Sequence, residues 1–288
     1  PPMKRFLVAF GVLSFVSSNS FAAISVSSDT DTGGWIAIGG NYDYLDDQQT
    51  GQPQSDIVGG TGYNAGFFTN WDAGGASHTD GTLGFRVRLD RADTNQNTFS
   101  GLLWVGVDAN SDGALDIFFG ANNKGNNTNI EIRDAGSGLN NSPNTTTIDN
   151  SVAGYIFAET SSNYNYRPVN FTTDGGTTND MTTGGTDTDY YLSFTVDFAK
   201  VVQFLGTQGI AITDESSLRY VLGTATQDNS LNQDLGNINN KTANLSQTWE
   251  QLGGFSPAMN ATGTVVPEPS AALLGGLGFI GLLRRRRY

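Results

Sequence analysis

Residues 102–119 of this chain read LLWVGVDANSDGALDIFF. Two apolar runs, 102–107 and 115–119, have the length and composition of short strands. A tight turn rich in Asp, Asn and Gly separates them. The stretch therefore predicts two antiparallel strands joined by an acidic loop.

Further strand candidates lie on both sides of this hairpin and are bounded by turns. Phe85, Val87 and Leu89 alternate with Arg86 and Arg88, which predicts a half-exposed strand. The remaining candidates are 35–38, 130–132, 155–158, 166–171, 190–196 and 218–225. Polar stretches at 122–129, 174–185 and 227–244 are predicted to be long loops within one domain, because strand candidates resume after each of them.

One segment has the pattern of a helix instead. Asp197 is a suitable N-cap for a run in which apolar residues recur at helical spacing, and Gly206 or Gly209 can end it. The apolar positions are Phe198, Val201, Val202 and Leu205. Many short strands with one connecting helix predict a mainly β fold, an antiparallel, jelly-roll-like β-sandwich.

The composition of the body limits its partners and its chemistry. Six of the 15 basic residues and one of the 28 acidic residues lie in the terminal segments, so the body has 27 acids and nine bases, a net charge of −18. Such a surface repels nucleic acid and attracts cations. The chain has 37 glycines and no cysteine. Its loops therefore need a restraint other than disulfides, and bound calcium is the obvious candidate.

The acidic loop 108–116 offers the strongest candidate site. Oxygen-bearing side chains fall at alternate positions, a glycine at 113 allows a sharp bend, and calcium prefers six to eight oxygen ligands. The predicted calcium ligands are the side chains of Asp108, Asn110, Asp112 and Asp116 and the backbone carbonyl of Ala114. The alternative interpretation is an Asx-rich turn that holds no metal. A bound ion here is expected to be structural.

This loop resembles the calcium loops of EF-hand, dockerin and integrin-propeller proteins. It departs from the EF-hand at the twelfth position, where Phe119 replaces the bidentate glutamate. The flanks also look like strands. The propeller type, a calcium-binding β-hairpin loop, is therefore the closer resemblance.

Other acidic and aromatic residues are weaker candidates. The acids at 29/31, 43/46/47 and 187/189 have the spacing to hold further cations, although solvated turns are the preferred interpretation. Tyr42/Tyr44 and Tyr164/Tyr166, with Trp71, have the spacing of a platform for sugar rings. Packing at the rim of the core is the preferred interpretation of these aromatic residues.

Catalytic signatures are weak, and the body is predicted not to be an enzyme. His78 is the only histidine, it lies in a loop-like glycine-rich stretch, and no Gly-x-Ser-x-Gly elbow accompanies it. A glycosidase needs two opposed carboxylates, and almost any aspartate pair in this chain satisfies that requirement on paper. No nucleotide-binding glycine loop is present.

The N-terminal residues have the pattern of a secretory signal peptide. Lys4 and Arg5 precede an apolar stretch at 6–16, and Ala22 is a suitable small residue at the cleavage point. Residues 1–22 are therefore predicted to form a signal helix that the Sec machinery and signal peptidase handle.

The C-terminal residues form a three-part tail. Val266-Pro267-Glu268-Pro269 leads into an apolar run at 271–283 that predicts a transmembrane helix, and Arg284, Arg285, Arg286 and Arg287 follow. The tail closely resembles the PEP-CTERM sorting signal of exported bacterial proteins. That resemblance implies processing by an exosortase, a membrane-embedded transpeptidase similar to cysteine proteases. An ordinary C-terminal membrane anchor is the alternative.

The expected organisation is a signal peptide at 1–22, a β-sandwich ectodomain at 23–255, a linker at 256–264 and the sorting signal at 265–288. The precursor is expected to be anchored in the inner membrane through its C-terminal helix, then to reach the cell surface or extracellular matrix after processing. The resemblance also implies an association with exopolysaccharide. Three roles remain open for the body: a structural matrix component, a carbohydrate-binding module and a polysaccharide-active enzyme.

Overall fold

The computed structural model describes residues 23–39, 42–49, 52–75, 77–91, 98–181 and 187–267. The predicted signal helix, and the predicted transmembrane helix with its arginines, lie outside the described residues.

Two antiparallel sheets form the body, as predicted for a β-sandwich. One sheet has the strand order β1-β2-β3-β9-β8 and the other the order β11-β10-β4-β5-β6-β7. The strands of the first sheet are β1 (Ile36–Ala37), β2 (Phe67–Asp72), β3 (Thr82–Leu89), β8 (Tyr164–Pro168) and β9 (Tyr190–Asp197). Those of the second are β4 (Leu102–Asp108), β5 (Ile117–Asn122), β6 (Asn129–Asp134), β7 (Ile156–Ala158), β10 (Arg219–Ala225) and β11 (Asp234–Leu235).

The predicted hairpin lies at the centre of the second sheet. β4 pairs with β5 in antiparallel register, with Val107 opposite Ile117 and Val105 opposite Phe119. These side chains point towards the first sheet, where they meet Phe85 and Val87 of β3 in the main core. Alternation along each strand thus sends one face of every pair into the space between the sheets.

The outer faces of both sheets are also covered, by long loops. Trp104 and Phe118 point away from the main core and pack with the buried Trp249 in a second apolar cluster. On the other sheet, Phe68 and Tyr191 pack with Trp35 in a third cluster. The glycine-rich loops predicted from composition therefore form part of the packed structure.

The prediction of a half-exposed β3 was wrong. Arg86 and Arg88 are both completely buried. The N-terminal segment covers Arg86, whose guanidinium donates to the Val26 carbonyl at 2.9 Å and lies 4.1 Å from the ring centroid of Trp35. A buried guanidinium is tolerated because its donors are satisfied and aromatic rings cover its faces.

The predicted helix is present as α2 (Phe198–Thr207). The Asp197 side chain accepts from the Ala199 backbone N–H at 2.9 Å, and Phe198, Val201 and Leu205 are buried against the main core. Two single-turn helices were not predicted, α1 (Phe171–Asp174) and α3 (Trp249–Leu252). α1 replaces the end of the strand expected at 166–171.

Residues 256–264, which were expected to be a linker, pack as part of the folded body. Met259 exchanges two backbone hydrogen bonds with Leu218, at 2.8 and 2.9 Å, and also forms a bridge to Val265. Met259 and Ala261 are 2% and 1% exposed and lie in the main core. The polar composition of the segment concealed these two buried positions.

Candidate functional site

The acidic loop 108–116 connects β4 to β5 as the sequence predicted. Asp108 is completely buried, whereas Asn110 and Asp112 are exposed. Ser111 and Gly113 have positive φ angles of 62° and 89°. The loop therefore turns sharply at the two positions that follow exposed ligand candidates.

The two ends of the loop are held by carboxylates that accept backbone hydrogen bonds. Asp108 Oδ1 accepts from the Ser111 N–H at 2.7 Å, and its Oδ2 accepts from the Gly113 N–H at 3.1 Å. Asp116 Oδ2 accepts from the Ala109 N–H at 2.7 Å. These bonds satisfy the loop backbone in the manner of Asx turns.

The exposed ligand candidates follow the same pattern. Asn110 Oδ1 accepts from the Asp112 N–H, and Asp112 Oδ1 accepts from the Ala114 N–H, each at 2.9 Å. Burial, with Asp108 and Asp112 nearby, raises the pKa of Asp116 to about 6. All the predicted metal ligands are oxygens, which suits calcium. The negative charges of three aspartates are also concentrated at this turn.

Arg219 is the part of this site that sequence reasoning missed. Its Nη2 lies 2.5 Å from Asp108 Oδ2, and its Nη1 lies 2.7 Å from Glu250 Oε2. The guanidinium also lies 4.3 Å from the ring centroid of Phe255. Arg219 comes from β10, which pairs with β4, so only the sheet topology brings it to Asp108. One predicted calcium ligand thus already has a cationic partner, and calcium binding here stays a prediction.

Three of the seven other acidic candidates do not lie in solvated turns. Asp43, Asp47 and Asp189 are 8%, 2% and 0% exposed, which corrects the preferred interpretation for these three residues. Asp187 is partly exposed and pairs with Arg91 at 2.8 Å. Tertiary cover from loops distant in sequence buries the three aspartates, and no local pattern reveals it.

The predicted aromatic platform is divided by the fold. Trp71 packs edge-on against Phe198, with ring centroids 5.1 Å apart. Tyr166 stacks on Tyr190 at 4.9 Å. Tyr42 and Tyr44 are exposed. Trp71 and Tyr166 are therefore rim residues of the main core, as the packing interpretation predicted.

An open groove of about 500 Å³ runs beside β8. Its lining includes Phe99, Asn123, Asn127, Glu159, Tyr164 and Tyr166. Asn123 Oδ1, Glu159 Oε1 and Asn165 Oδ1 are buried without a hydrogen-bond partner. Burial raises the pKa of Glu159 to about 7, although a hydrogen bond from Asn123 opposes the shift. Among the described lining residues, Glu159 is the one carboxylate.

His78 lies in an exposed loop. Its Nδ1 is 2.8 Å from Asp214 Oδ1, and its side chain is 64% exposed. The hydrogen bond to Asp214 raises the pKa of His78. The imidazole is thus oriented by a carboxylate at the surface.

The end of the described chain is fixed to the body. The Val266 N–H donates to the Ala258 carbonyl at 2.8 Å, and Pro267 is the last described residue. Residues 265–287 match the family model described as the PEP-CTERM protein-sorting motif. The chain carries a PEP-CTERM sorting motif. The PEP-CTERM motif marks an exported protein that is sorted by an exosortase from a membrane-anchored precursor.

No curated protein and no solved structure matches the chain. Within the described ranges, none of the helices combines the length and the apolar character needed to cross a bilayer. Of the predicted sorting residues, Val266 and Pro267 are described, and Glu268, Pro269 and the arginines at 284–287 lie outside the described residues.

Proposed function

We propose that the body is a non-catalytic, calcium-stabilised β-sandwich of the cell surface or extracellular matrix, associated with exopolysaccharide. The observation that carries this proposal is the sorting motif, which begins where the folded body ends. Export through the Sec machinery, removal of the signal peptide by signal peptidase and processing of the tail by an exosortase belong to the same proposal.

The use of polar groups in the fold supports a structural role. The carboxylates of Asp108 and Asp116 organise backbone turns, and the buried carboxylates of Asp174 and Asp189 pair with arginines. Asp187 and Glu250 also pair with arginines. Carboxylates engaged in this way hold loops in place and are poorly suited to proton transfer.

The calcium part of the proposal rests on the loop 108–116. The exposed Asn110 and Asp112 face solvent from which an ion can enter, and Asp108, Asp116 and the Ala114 carbonyl complete the oxygen set. Arg219 competes for Asp108. Calcium binding at this loop thus involves a change in the Arg219–Asp108 contact, or an ion held mainly by the other four donors.

A carbohydrate-binding module is the second candidate, and the groove beside β8 favours it. Tyr164 and Tyr166 line the groove with aromatic rings, and Asn123 and Asn165 line it with polar side chains. Sugar recognition needs such a combination of an apolar ring and directional hydrogen-bond acceptors. A polysaccharide-active enzyme needs a second carboxylate roughly 5–10 Å from the first. Glu159 stands alone among the described lining residues.

The test uses the full-length chain, purified in mild detergent. Its melting temperature is measured with calcium and with chelator, and its binding to a panel of bacterial exopolysaccharides is measured beside the Tyr164→Ala variant. The structural proposal expects a higher melting temperature in calcium and no glycan bound through the groove. Glycan binding that Tyr164→Ala abolishes would establish the carbohydrate-binding candidate instead. An unchanged melting temperature would refute calcium stabilisation.

A further inference from the structure

Three aspartates from segments far apart in sequence meet inside the fold. Asp43 and Asp47 lie in the loop 42–49, and Asp234 lies in β11. They are 8%, 2% and 0% exposed, and one carboxylate oxygen from each lies within 4.8 Å of the other two. A fourth aspartate, Asp56, is completely buried beside them.

The backbone orients these carboxylates as anions. Asp43 Oδ1 accepts from the Tyr44 and Asn237 N–H groups at 2.8 and 3.0 Å. Asp47 Oδ2 accepts from the Asn240 N–H at 2.7 Å. Asp234 accepts from the Ile57 and Leu235 N–H groups at 2.6 and 2.9 Å. Backbone N–H donors favour the ionised form of a carboxyl group.

Asp56 has a different part in the cluster. Both of its oxygens are occupied, because Oδ2 accepts from the Asp46 N–H at 3.0 Å and Oδ1 accepts from the Gln48 N–H at 3.3 Å. Asp56 therefore shapes the 46–48 turn that presents Asp47. It is a positioning residue beside the other three aspartates.

Several buried oxygens at this cluster have no hydrogen-bond partner. They include Asp43 Oδ2, Asp47 Oδ1 and Asn240 Oδ1; Gln48 Oε1, on the residue that follows Asp47, is also buried without a partner. Gln48 and Asn240 are 6% and 7% exposed. The Asn240 side-chain amide lies against the cluster, because its Nδ2 is 3.1 Å from Asp234 Oδ1. An unpaired buried oxygen is costly, and several at one place indicate an absent electropositive partner.

The described part of the protein supplies no such partner. No arginine or lysine among the described residues forms a salt bridge with Asp43, Asp47 or Asp234. The charge of Lys241 acts on Asp47, but Lys241 is exposed to solvent. Elsewhere the same fold gives buried carboxylates an arginine, as at Asp174 and Asp189.

We propose that Asp43, Asp47 and Asp234 form a buried calcium site, with Asn240 and Gln48 supplying further oxygens. Calcium–oxygen distances of about 2.3–2.6 Å allow two ligand oxygens of one ion to be at most about 5 Å apart. The three aspartate oxygens meet that limit. One divalent ion between them converts their mutual repulsion into attraction and satisfies the unpaired oxygens.

The donor chemistry selects the ion. Every candidate ligand is an oxygen, and neither histidine nor cysteine takes part, which disfavours zinc and copper. Magnesium prefers to keep several waters in a strict octahedron, whereas calcium accepts an irregular shell of carboxylates and amides. A small cavity of about 30 Å³ adjoins Asp43 and is lined by Tyr42 and Asn237. It offers room for about one water in the outer part of the shell.

The site would fasten the loop 42–49 to the segment 234–240. The two segments are separated by nearly the whole ectodomain in sequence and are linked by the Asn240–Asp47 and Asn237–Asp43 hydrogen bonds. This site is distinct from the loop 108–116, and the two can be tested independently.

The experiment compares the full-length native chain in mild detergent with the Asp47→Asn and Asp112→Asn variants. Bound calcium is counted by equilibrium dialysis, and melting temperature is measured in EGTA, in calcium and in magnesium. The native chain is expected to gain about 5–10 °C in saturating calcium and less in magnesium. Asp47→Asn should bind one ion fewer and lose the larger part of this gain. Asp112→Asn should keep the ion at Asp47.

The behaviour of Asp47→Asn in EGTA separates a metal ligand from a hydrogen-bond acceptor. Asparagine can still accept from the Asn240 N–H and removes one of the crowded charges, so this variant should melt in EGTA at or above the native temperature. Equal destabilisation in EGTA and calcium would overturn the proposal. An ion lost in Asp112→Asn but retained in Asp47→Asn would also overturn it, while supporting the loop.

A readout independent of stability covers the case in which Asp47→Asn does not fold. Terbium replaces calcium at oxygen sites and becomes luminescent when a tyrosine close to it is excited. Tyr42 and Tyr44 flank Asp43. The native chain should therefore show tyrosine-excited terbium luminescence that calcium displaces and that Asp43→Asn reduces severalfold. Undiminished luminescence in Asp43→Asn would place the terbium elsewhere and refute the site.

Discussion

Arg88 and Asp189 form an ion pair inside the first sheet and its covering loops. Arg88 Nε lies 2.5 Å from Asp189 Oδ2, and the two side chains are 1% and 0% exposed. Arg88 projects from β3 on the face opposite the main core, so the pair connects the sheet to the loop that precedes β9. Asp189 is therefore the carboxylate that faces this buried guanidinium.

Asp189→Asn should lower the free energy of unfolding by about 3–5 kcal/mol, because it leaves a buried guanidinium without its counter-charge. The measurement belongs at pH 8, well above the usual pKa of an aspartate. Asp187→Asn is the matched control, since its pair with Arg91 is partly exposed at both ends. The control should lose less than about 1 kcal/mol. Similar losses in chemical denaturation would contradict the distinction.

Two glycines near the end of α2 should respond oppositely to alanine. Gly206 lies within the helix, and Gly209 follows it with a φ of 81°. A Cβ atom at either position meets no atom within 4 Å, so only the backbone distinguishes them. Gly206→Ala should stabilise the protein by about 0.5–1 kcal/mol, and Gly209→Ala should destabilise it by about 1 kcal/mol. Urea denaturation measures the change in the free energy of unfolding for each variant. Changes of the same sign in both variants would refute this assignment of the helix end.

The packing of residues 256–264 predicts a cost for truncating Met259. Met259→Ala should destabilise the protein by about 2–4 kcal/mol, because the side chain fills space between the sheets. Val265→Ala is the control; Val265 takes part in the same bridge through its backbone, but the residue is 58% exposed. Its effect should stay within about 0.5 kcal/mol. If Met259→Ala proved equally mild in thermal or chemical unfolding, the segment would be a loosely held tether.

Glu159 should make stability depend on pH in a definite direction. Its pKa is raised from 4.5 to about 7 in the folded protein, so between these values the folded state holds a proton that the unfolded state releases. Stability should therefore fall as pH rises through this window, and the penalty persists above it. Glu159→Gln should remove the penalty and be more stable than the native chain at pH 8 by on the order of 1 kcal/mol.

The measurement is the melting temperature of both proteins from pH 4 to pH 8. The native and Glu159→Gln curves should converge at the acidic end and diverge above pH 5. Curves that run parallel across the range would show that Glu159 titrates in the folded protein as it does in the unfolded chain.

Local patterns explain which parts of the fold were predictable. The hairpin at 102–119 and α2 are recognised because their apolar residues repeat with the period of a single element, and Asp197 caps its own helix. The strand β3 was recognised for the same reason. The burial of its second face was not predicted, because the segment that covers Arg86 lies about sixty residues earlier in the chain.

The candidate sites divide in the same way. The loop 108–116 is contiguous, so its ligand spacing is visible in the sequence, whereas its partner Arg219 is 111 residues away. Asp43 and Asp47 were noted as neighbours, but Asp234 joins them only through the pairing of β11 with β10. Which aspartates lose contact with water is decided by loop packing, and alternation along one strand carries no information about it.

The backbone contacts of Val265 and Val266 fix the first residues of the sorting motif to the folded body. In the sequence, only Pro267 separates Val266, which is bonded to the body, from Glu268, so an exosortase that recognises this motif works within a few residues of the sandwich. The shape of the folded body next to the motif, and not the motif sequence alone, would then influence how fast an exosortase processes this protein. Inserting a short glycine–serine spacer after Val266 offers a direct way to vary that distance.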